Sequence, residues 1–293
     1  MEFGWVITPS VDPKIGADAL MENNYKFLNI VRGKFQSAWV EDHFQWDDRD
    51  TLECWTTLTF LASQYTDLNW GTLVLGNSYR HPALTAKMAA TLQQLTGGRL
   101  IFGLGAGWKE DEYRAYGWDY PPARVRLDQL EEAVQIVRAM WTQSPATFHG
   151  KYFTIENAYC EPRPNPLPPF MIGGNGDRTM RIAAQHADWW NAAFPPPEEF
   201  ARLSRRLDEH CAAVGRTNPI RKTLFAFVSV NEDASKVQHR EGMHLVAGSA
   251  DEVTRELEGY IAQGVDYLIL RFVDFPETEG LELFLERVAP RLM

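Results

Sequence analysis

The chain has 293 residues, 45% of them hydrophobic and 23% charged, with 29 Lys+Arg against 39 Asp+Glu for a formal net charge of -10. A charged fraction close to the ~25% of folded domains excludes a wholly disordered chain, and the acidic balance argues against a nucleic-acid binder, which needs a basic face to displace counterions. Three scattered cysteines, Cys54, Cys160 and Cys211, form neither a disulfide framework nor a zinc finger, so buried thiols in a reducing compartment are expected.

The first residues, Met1-Glu2-Phe3-Gly4-Trp5, lack a basic stretch ahead of an apolar one, so no secretory leader is expected. No apolar run approaches ~18 residues, so no membrane span is expected, and the cytoplasm is the natural location. Short apolar runs follow in order at 3–7, 38–40, 72–75, 100–102, 170–172, 188–190, 224–230 and 267–270. Runs that are apolar on both faces suit parallel strands buried between layers. Helix-period segments separate them. Leu20, Tyr25, Leu28 and Val31 mark one, and Thr51, Cys54, Leu58 and Leu61 another. Leu84, Met88, Leu92 and Leu95 form a stripe that Gly97-Gly98 ends, and Leu127, Leu130, Val134, Val137 and Trp141 form a longer one. Ser249 with Glu252 has the spacing of a capping box ahead of Val253, Leu257 and Ile261.

Eight runs alternating with about eight helices predict an α/β fold, a (β/α)₈ TIM barrel spanning 1–293 as one domain. The alternative is an open doubly wound sheet, but no turn carries GxGxxG with an acidic residue at the dinucleotide-binding distance. An insertion at 142–169, after the fourth βα unit, is expected. It holds Pro145, Pro162, Pro164, Pro166, Pro168 and Pro169 and a hairpin around His149-Gly150. Such a segment serves as a lid or binding loop, or only decorates the barrel. The polar stretch 231–248 has little periodicity and reads as mobile.

A barrel works at the carboxyl ends of its strands. After the second strand stand Glu41-Asp42-His43-Phe44-Gln45-Trp46. His43 is a candidate acid or base near neutral pH, Asp42 its orienting partner, and Trp46 a wall for a flat ring. After the third strand, Gly76 permits close backbone approach and Asn77 offers a donor and an acceptor. After the fourth, Gly105 and Gly107 leave a face free of side chains for a planar ligand, with Trp108 beyond them. After the fifth, Gly173-Gly174-Asn175-Gly176-Asp177-Arg178-Thr179 is a glycine-rich turn into a helix, a phosphate cradle in which Arg178 adds a clamp. Trp189-Trp190-Asn191, at the sixth strand, is either core or pocket wall, with Trp190 the candidate for the substrate, and Arg271, after the eighth, either binds an anion or makes a salt bridge. No HxH pair supports a metal, so a metal-dependent hydrolase built on Glu41, Asp42 and His43 is disfavoured and no metal is expected.

Four stretches in order, TLVLGNSYRHPALTAKMAATLQQLTGGRLIFGLGAGW, EYRAYGWDYPPARVRLDQLEEAVQIVRAMW, PLPPFMIGGNGDRTMRIAAQHADWWN and AGSADEVTRELEGYIAQGVDYLIL, resemble the bacterial luciferase-like family of flavin and deazaflavin oxidoreductases. The segment VEDHFQW is most similar to its F420-dependent branch. The resemblance implies a barrel with an insertion, and an oxidoreductase passing hydride between reduced coenzyme F420 and a small organic substrate. The alternative is a monooxygenase using reduced FMN, and a barrel subunit without a cofactor is a further rival. It implies Asp42, His43 and Trp46 beside the cofactor ring, with Gly76, Asn77, Gly105 and Gly107 around it. Gly173, Gly174, Asn175, Gly176, Arg178 and Thr179 are implied at the phosphate, and Trp108 and Trp190 are the candidates for the substrate. It also implies a non-proline cis peptide at Gly76-Asn77. The glutamate that sugar-phosphate dehydrogenases carry after the fourth strand is replaced here by Ala106-Gly107-Trp108, which argues against glucose 6-phosphate. Partners are expected to be limited to the small molecule and a second copy in a homodimer, with no nucleic acid or membrane.

Overall fold

Parallel strands and helices alternate along the chain in this computed structural model, which describes residues 1–11 and 16–293. Eight strands carry the architecture: β1 (Glu2–Val6), β2 (Ser37–Val40), β3 (Asn69–Thr72), β4 (Leu100–Gly105), β5 (Phe170–Gly173), β6 (Trp189–Ala193), β7 (Arg221–Val230) and β8 (Tyr267–Phe272). Each pairs in parallel with the next, from Gly4 opposite Ser37 round to Thr223 opposite Tyr267. β8 then returns to β1 with Glu2 opposite Tyr267. The sheet is therefore closed, which excludes the open doubly wound alternative and defines a TIM barrel.

The helices between the strands are α1 (Ala17–Val31), α2 (Cys54–Gln64), α3 (Pro82–Leu95), α4 (Glu110–Ala115), α5 (Ala123–Thr142), α6 (Asp177–His186), α7 (Pro197–Ala213) and α8 (Ala250–Ala262). Ser249 and Glu252 make the reciprocal capping box read from their spacing. The α5 stripe packs inward through Leu130, Val134, Val137 and Trp141. In α3 the inward face is not the leucine stripe. Leu84 and Leu95 are exposed, while Thr85, Ala86, Ala89, Ala90 and Leu92 are buried. Small side chains let two helix backbones approach, so α3 lies close against α5 and its larger residues turn to solvent.

Inside the barrel a separate cluster of Val6, Trp39, Ile101, Met171, Tyr267 and Ile269 fills the floor. Trp39 dominates it. A Cβ on Gly4 would lie 2.2 Å from Trp39 Nε1 and one on Gly71 2.1 Å from its ring, so those two glycines are the space the indole occupies. Strand period decides what reaches this interior. Trp189 packs inside against Trp39 and Tyr267. Its neighbour Trp190 points outward to Phe200 of α7 and is fully buried there.

The break in β3, the position of the cis bond and the end of the polar stretch after β7 differ from the sequence reading, while the hairpin expected around His149-Gly150 is present. β3 stops at Thr72, and the chain resumes pairing at Leu75–Gly76, beside the end of β4. The non-proline cis bond lies between these pieces, at Leu73-Val74 and not at Gly76-Asn77. Between α5 and β5 an antiparallel hairpin joins Ala146–His149 to Thr154–Ala158, and Glu132 of α5 accepts the backbone N–H groups of Lys151, Tyr152 and Phe153. The polar stretch after β7 ends in a further short strand, Leu245–Gly248, paired parallel with β7. No helix among the described residues is long and apolar enough to cross a membrane.

Candidate active site

The carboxyl ends of the strands surround a cavity of about 720 Å³, within the ~300–1,000 Å³ range of small-molecule sites. Most of the sequence-predicted residues line it: Asp42, His43, Trp46, Gly76, Gly105, Gly107, Trp108, Gly173, Gly174 and Thr179. The others do not. Asn77 is buried beside the cavity with its Nδ2 unpartnered. Asn175 ties its own loop to the end of β6, its side chain exchanging hydrogen bonds with the Ala193 backbone. Gly176 is the N-cap of α6.

Two placements change the expected roles. Arg178 turns away from the glycine loop to pair with Asp128 and Glu131 on α5, so it clamps two helices. Trp190 lies behind the strand and donates its indole N–H to Gly174 O at 2.9 Å. It steadies the glycine turn, and Asn191, one residue on, is the side chain that faces the cavity.

His43 sits at the centre of the constellation. Its Nδ1 lies 3.0 Å from Glu112 Oε2, and Glu112 is fully buried. The same carboxylate accepts the N–H of Phe44 at 2.7 Å, the N–H of Gln45 at 3.1 Å and the Tyr79 hydroxyl at 2.9 Å. Burial pushes the Glu112 carboxyl up, but hydrogen bonds from His43 and from the Gln45 and Phe44 N–H groups outweigh it. They hold Glu112 below the ordinary glutamate value. Burial, reinforced by the neighbouring Glu112 charge, pushes the Tyr79 phenol well up, so Tyr79 stays a neutral donor. An anion fixed at Nδ1 sets the imidazole tautomer and leaves Nε2 for the cavity.

Asp42 is therefore not the partner of His43. Its side chain is fully buried and takes a bidentate pair from Arg80, at 2.8 and 3.0 Å, together with the Gly76 N–H at 2.9 Å. Arg80 also bridges to Glu53, the N-cap of α2. Desolvation alone would lower the Arg80 pKa, but the Asp42 carboxylate raises it well above the ordinary value. Asp42 pins the loop after β3 to the loop after β2. The sequence reading missed Glu112, Tyr79 and Arg80. The available signal was the row of acids Glu110, Asp111 and Glu112 opening a short helix after β4.

Three rings form one wall. The His43 and Trp46 centroids are 4.7 Å apart, His43 and Trp108 5.6 Å, and Trp46 and Trp108 6.2 Å. Trp108 is 63% exposed, so its ring is available to a ligand. Opposite them the glycines of β4 and β5 meet Val74. A Cβ on Gly105 would lie 2.8 Å from Val74 Cγ2, and one on Gly173 2.9 Å from the same atom. The missing side chains thus make room for Val74, and the floor a ligand meets is Val74 flanked by bare backbone. Gly107, at φ +73°, has no room for a Cβ against the Tyr113 hydroxyl, and Gly174 takes φ +136°, a conformation open to glycine. Gly174 leads into α6, whose first-turn Thr179 lines the cavity. A shallow apolar floor, an aromatic wall and a helix N-terminus fit a tricyclic ring with a phosphate-bearing tail.

The luciferase-like monooxygenase family matches residues 1–268, and the chain belongs to that family. It is 28% identical over 223 residues to the F420-dependent hydroxymycolic acid dehydrogenase of Mycobacterium tuberculosis, a stretch covering 74% of this chain but 61% of that protein. It is 25% identical over 298 residues to the F420-dependent glucose-6-phosphate dehydrogenase of Kineococcus radiotolerans, covering 87% of this chain and 88% of that one. Among solved structures, an F420-dependent secondary alcohol dehydrogenase in complex with an F420-acetone adduct superposes with a TM-score of 0.84. It has 21% identity, with 100% of this chain and 99% of that one covered. The oxygenating constituent of 3,6-diketocamphane monooxygenase from Pseudomonas putida, in complex with FMN, gives 0.81 at 18% identity, with 100% and 99% covered. At these identities the structures establish the shared fold.

Proposed function

We propose that this chain is an oxidoreductase that binds coenzyme F420 in the barrel mouth and reduces or oxidises a small organic substrate. Val74, Gly76, Gly105 and Gly107 would hold the ring, and Gly173, Gly174 and Thr179 with the start of α6 the phosphate. Asn77, Asn175 and Gly176 would shape the loops behind them. When bound, F420 supplies or accepts hydride. His43 moves the accompanying proton at Nε2, Glu112 holds the imidazole in place, and Trp46 and Trp108 flank the substrate.

The observation that carries this reading is the imidazole of His43, anchored at Nδ1 by a buried carboxylate and walled by two indoles over a glycine-flanked floor. Relatives named for F420 support the deazaflavin over FMN. The test is a titration of purified protein with F420 and with FMN. Micromolar binding of F420 is expected. Binding of FMN alone, with oxygen consumption when the flavin is reduced, would replace this reading by the monooxygenase one.

We further read residues 1–293 as one domain with 142–169 as an insertion. None of those residues lines the cavity, so the segment decorates the barrel and the cover over the mouth comes from Arg240, Met243 and Phe275. A cytoplasmic homodimer that contacts neither nucleic acid nor membrane completes the proposal. The exposed Phe60, Leu84 and Leu95 support a contact between copies.

A further inference from the structure

The cavity has two chemically different halves. The half over β3–β5 carries Val74 and the bare glycines described above. The half over β6–β8 is built of phenylalanine. Phe194 lies 4.6 Å from Phe225 and 4.9 Å from Phe227, stacked on the latter, and the Phe225 and Phe227 rings are 5.5 Å apart. All three line the cavity, as do Met243 and Phe275. Phe194 holds φ +57°, a backbone region uncommon for any non-glycine residue and unfavourable for a bulky one. A bulky ring at such a position motivates a functional reading of that ring.

The buried charge of this half, Arg271, is already paired through Nη2, while its Nε has no partner. Arg271 donates to Glu41 and to Ile7 O, and its guanidinium carbon stands 5.5 Å from the Phe227 ring. Glu41 is buried, so an anionic substrate that drew Arg271 to itself would strand a carboxylate away from water. Arg49 and Arg240 also line the cavity and are exposed to solvent, where screening weakens their pull; the Arg240 guanidinium carbon rests 5.5 Å from the Phe227 ring, at the edge of the wall.

We propose that this half takes an uncharged organic substrate with an apolar, ring-sized body stacked on the Phe194–Phe225–Phe227 wall, and that it does not serve a sugar phosphate. The inference rests on the cofactor occupying the β3–β5 half, and it concerns the other half.

The test uses prodan, an uncharged naphthyl ketone whose emission shifts to the blue in apolar surroundings. The wild-type protein should bind it saturably with blue-shifted emission, and camphor, an uncharged ring ketone, should displace it at lower concentrations than glucose 6-phosphate. Phe194→Gly is the informative variant, because glycine suits the backbone there and only the ring is lost. It should keep the wild-type melting temperature and weaken prodan at least ten-fold. Phe225→Ala should weaken it similarly. Unchanged affinity in both variants, or stronger displacement by glucose 6-phosphate, would overturn the inference. F420 is titrated against the same samples. A wild type that binds prodan at this wall and not F420 upholds the inference while overturning the cofactor assignment.

Discussion

The imidazole of His43 and the carboxylate of Glu112, 69 residues apart in the chain, meet at 3.0 Å beneath the cavity. Neither residue has the other as a sequence neighbour. The loop after β2 and the short helix after β4 bring them together, and the two N–H groups after His43 lock the carboxylate in place. The consequences are measurable.

Glu112→Gln should cost about 10²-fold or more in turnover, because the amide no longer fixes the imidazole as an acid or base. A pH effect on stability accompanies it. The folded pKa of Glu112 is held below the ordinary value, so the unfolded chain binds the proton more readily. The stabilisation is therefore fully present above about pH 4.3 and is lost as pH falls through the lower folded value. Urea unfolding across pH 3 to 6 should show a steeper acid loss in the wild type than in Glu112→Gln.

Arg80 serves two carboxylates in a buried setting. Arg80→Met leaves the Asp42 charge without its partner, and breaking a buried pair in this way costs about 3–5 kcal/mol. Arg202→Met, which removes an exposed pair on α7, should stay within about 0.5 kcal/mol. Chemical denaturation of the two variants side by side makes the comparison.

The glycines around Val74 predict a specific pattern of rescue. Gly173→Ala overpacks Val74 and should cost about 1–3 kcal/mol, and the second change Val74→Ala should restore most of it. Gly103→Ala should not be rescued, because its Cβ would lie 2.1 Å from the Thr72 carbonyl oxygen, which is backbone. Melting temperatures of the two single and two double variants decide this.

Arg178→Glu sets a third acid beside Asp128 and Glu131. It should loosen α6 against α5 and lower the melting temperature by a few degrees, while F420 affinity stays within about two-fold. A second change, Glu131→Arg, should recover the stability. A large loss of F420 affinity in a variant that melts like the wild type would return Arg178 to the phosphate.

Much of the barrel is legible in order along the chain. Each apolar run falls on or beside an observed strand because a strand buried on both faces must be apolar throughout, and that is a local property. The capping box at Ser249 is legible for the same reason. The leucine stripe of α3 misleads, since a helix face is chosen by what packs on it, and α5 selects the small residues Ala86, Ala89 and Ala90. Trp189 and Trp190 look alike in sequence and part in the structure, because a one-residue step on a strand is the difference between the barrel interior and the helix layer.

The sequence by itself determined the alternation of strands and helices and the loops that carry the polar residues, and it singled out His43 as the candidate acid or base. Those follow from residue type and local spacing. Only the tertiary structure decided which carboxylate His43 answers to, that Arg178 and Trp190 face away from the cavity, and that the β4 and β5 glycines yield their space to Val74. Each of these depends on distances between loops that barrel closure sets, and no spacing along the chain records them.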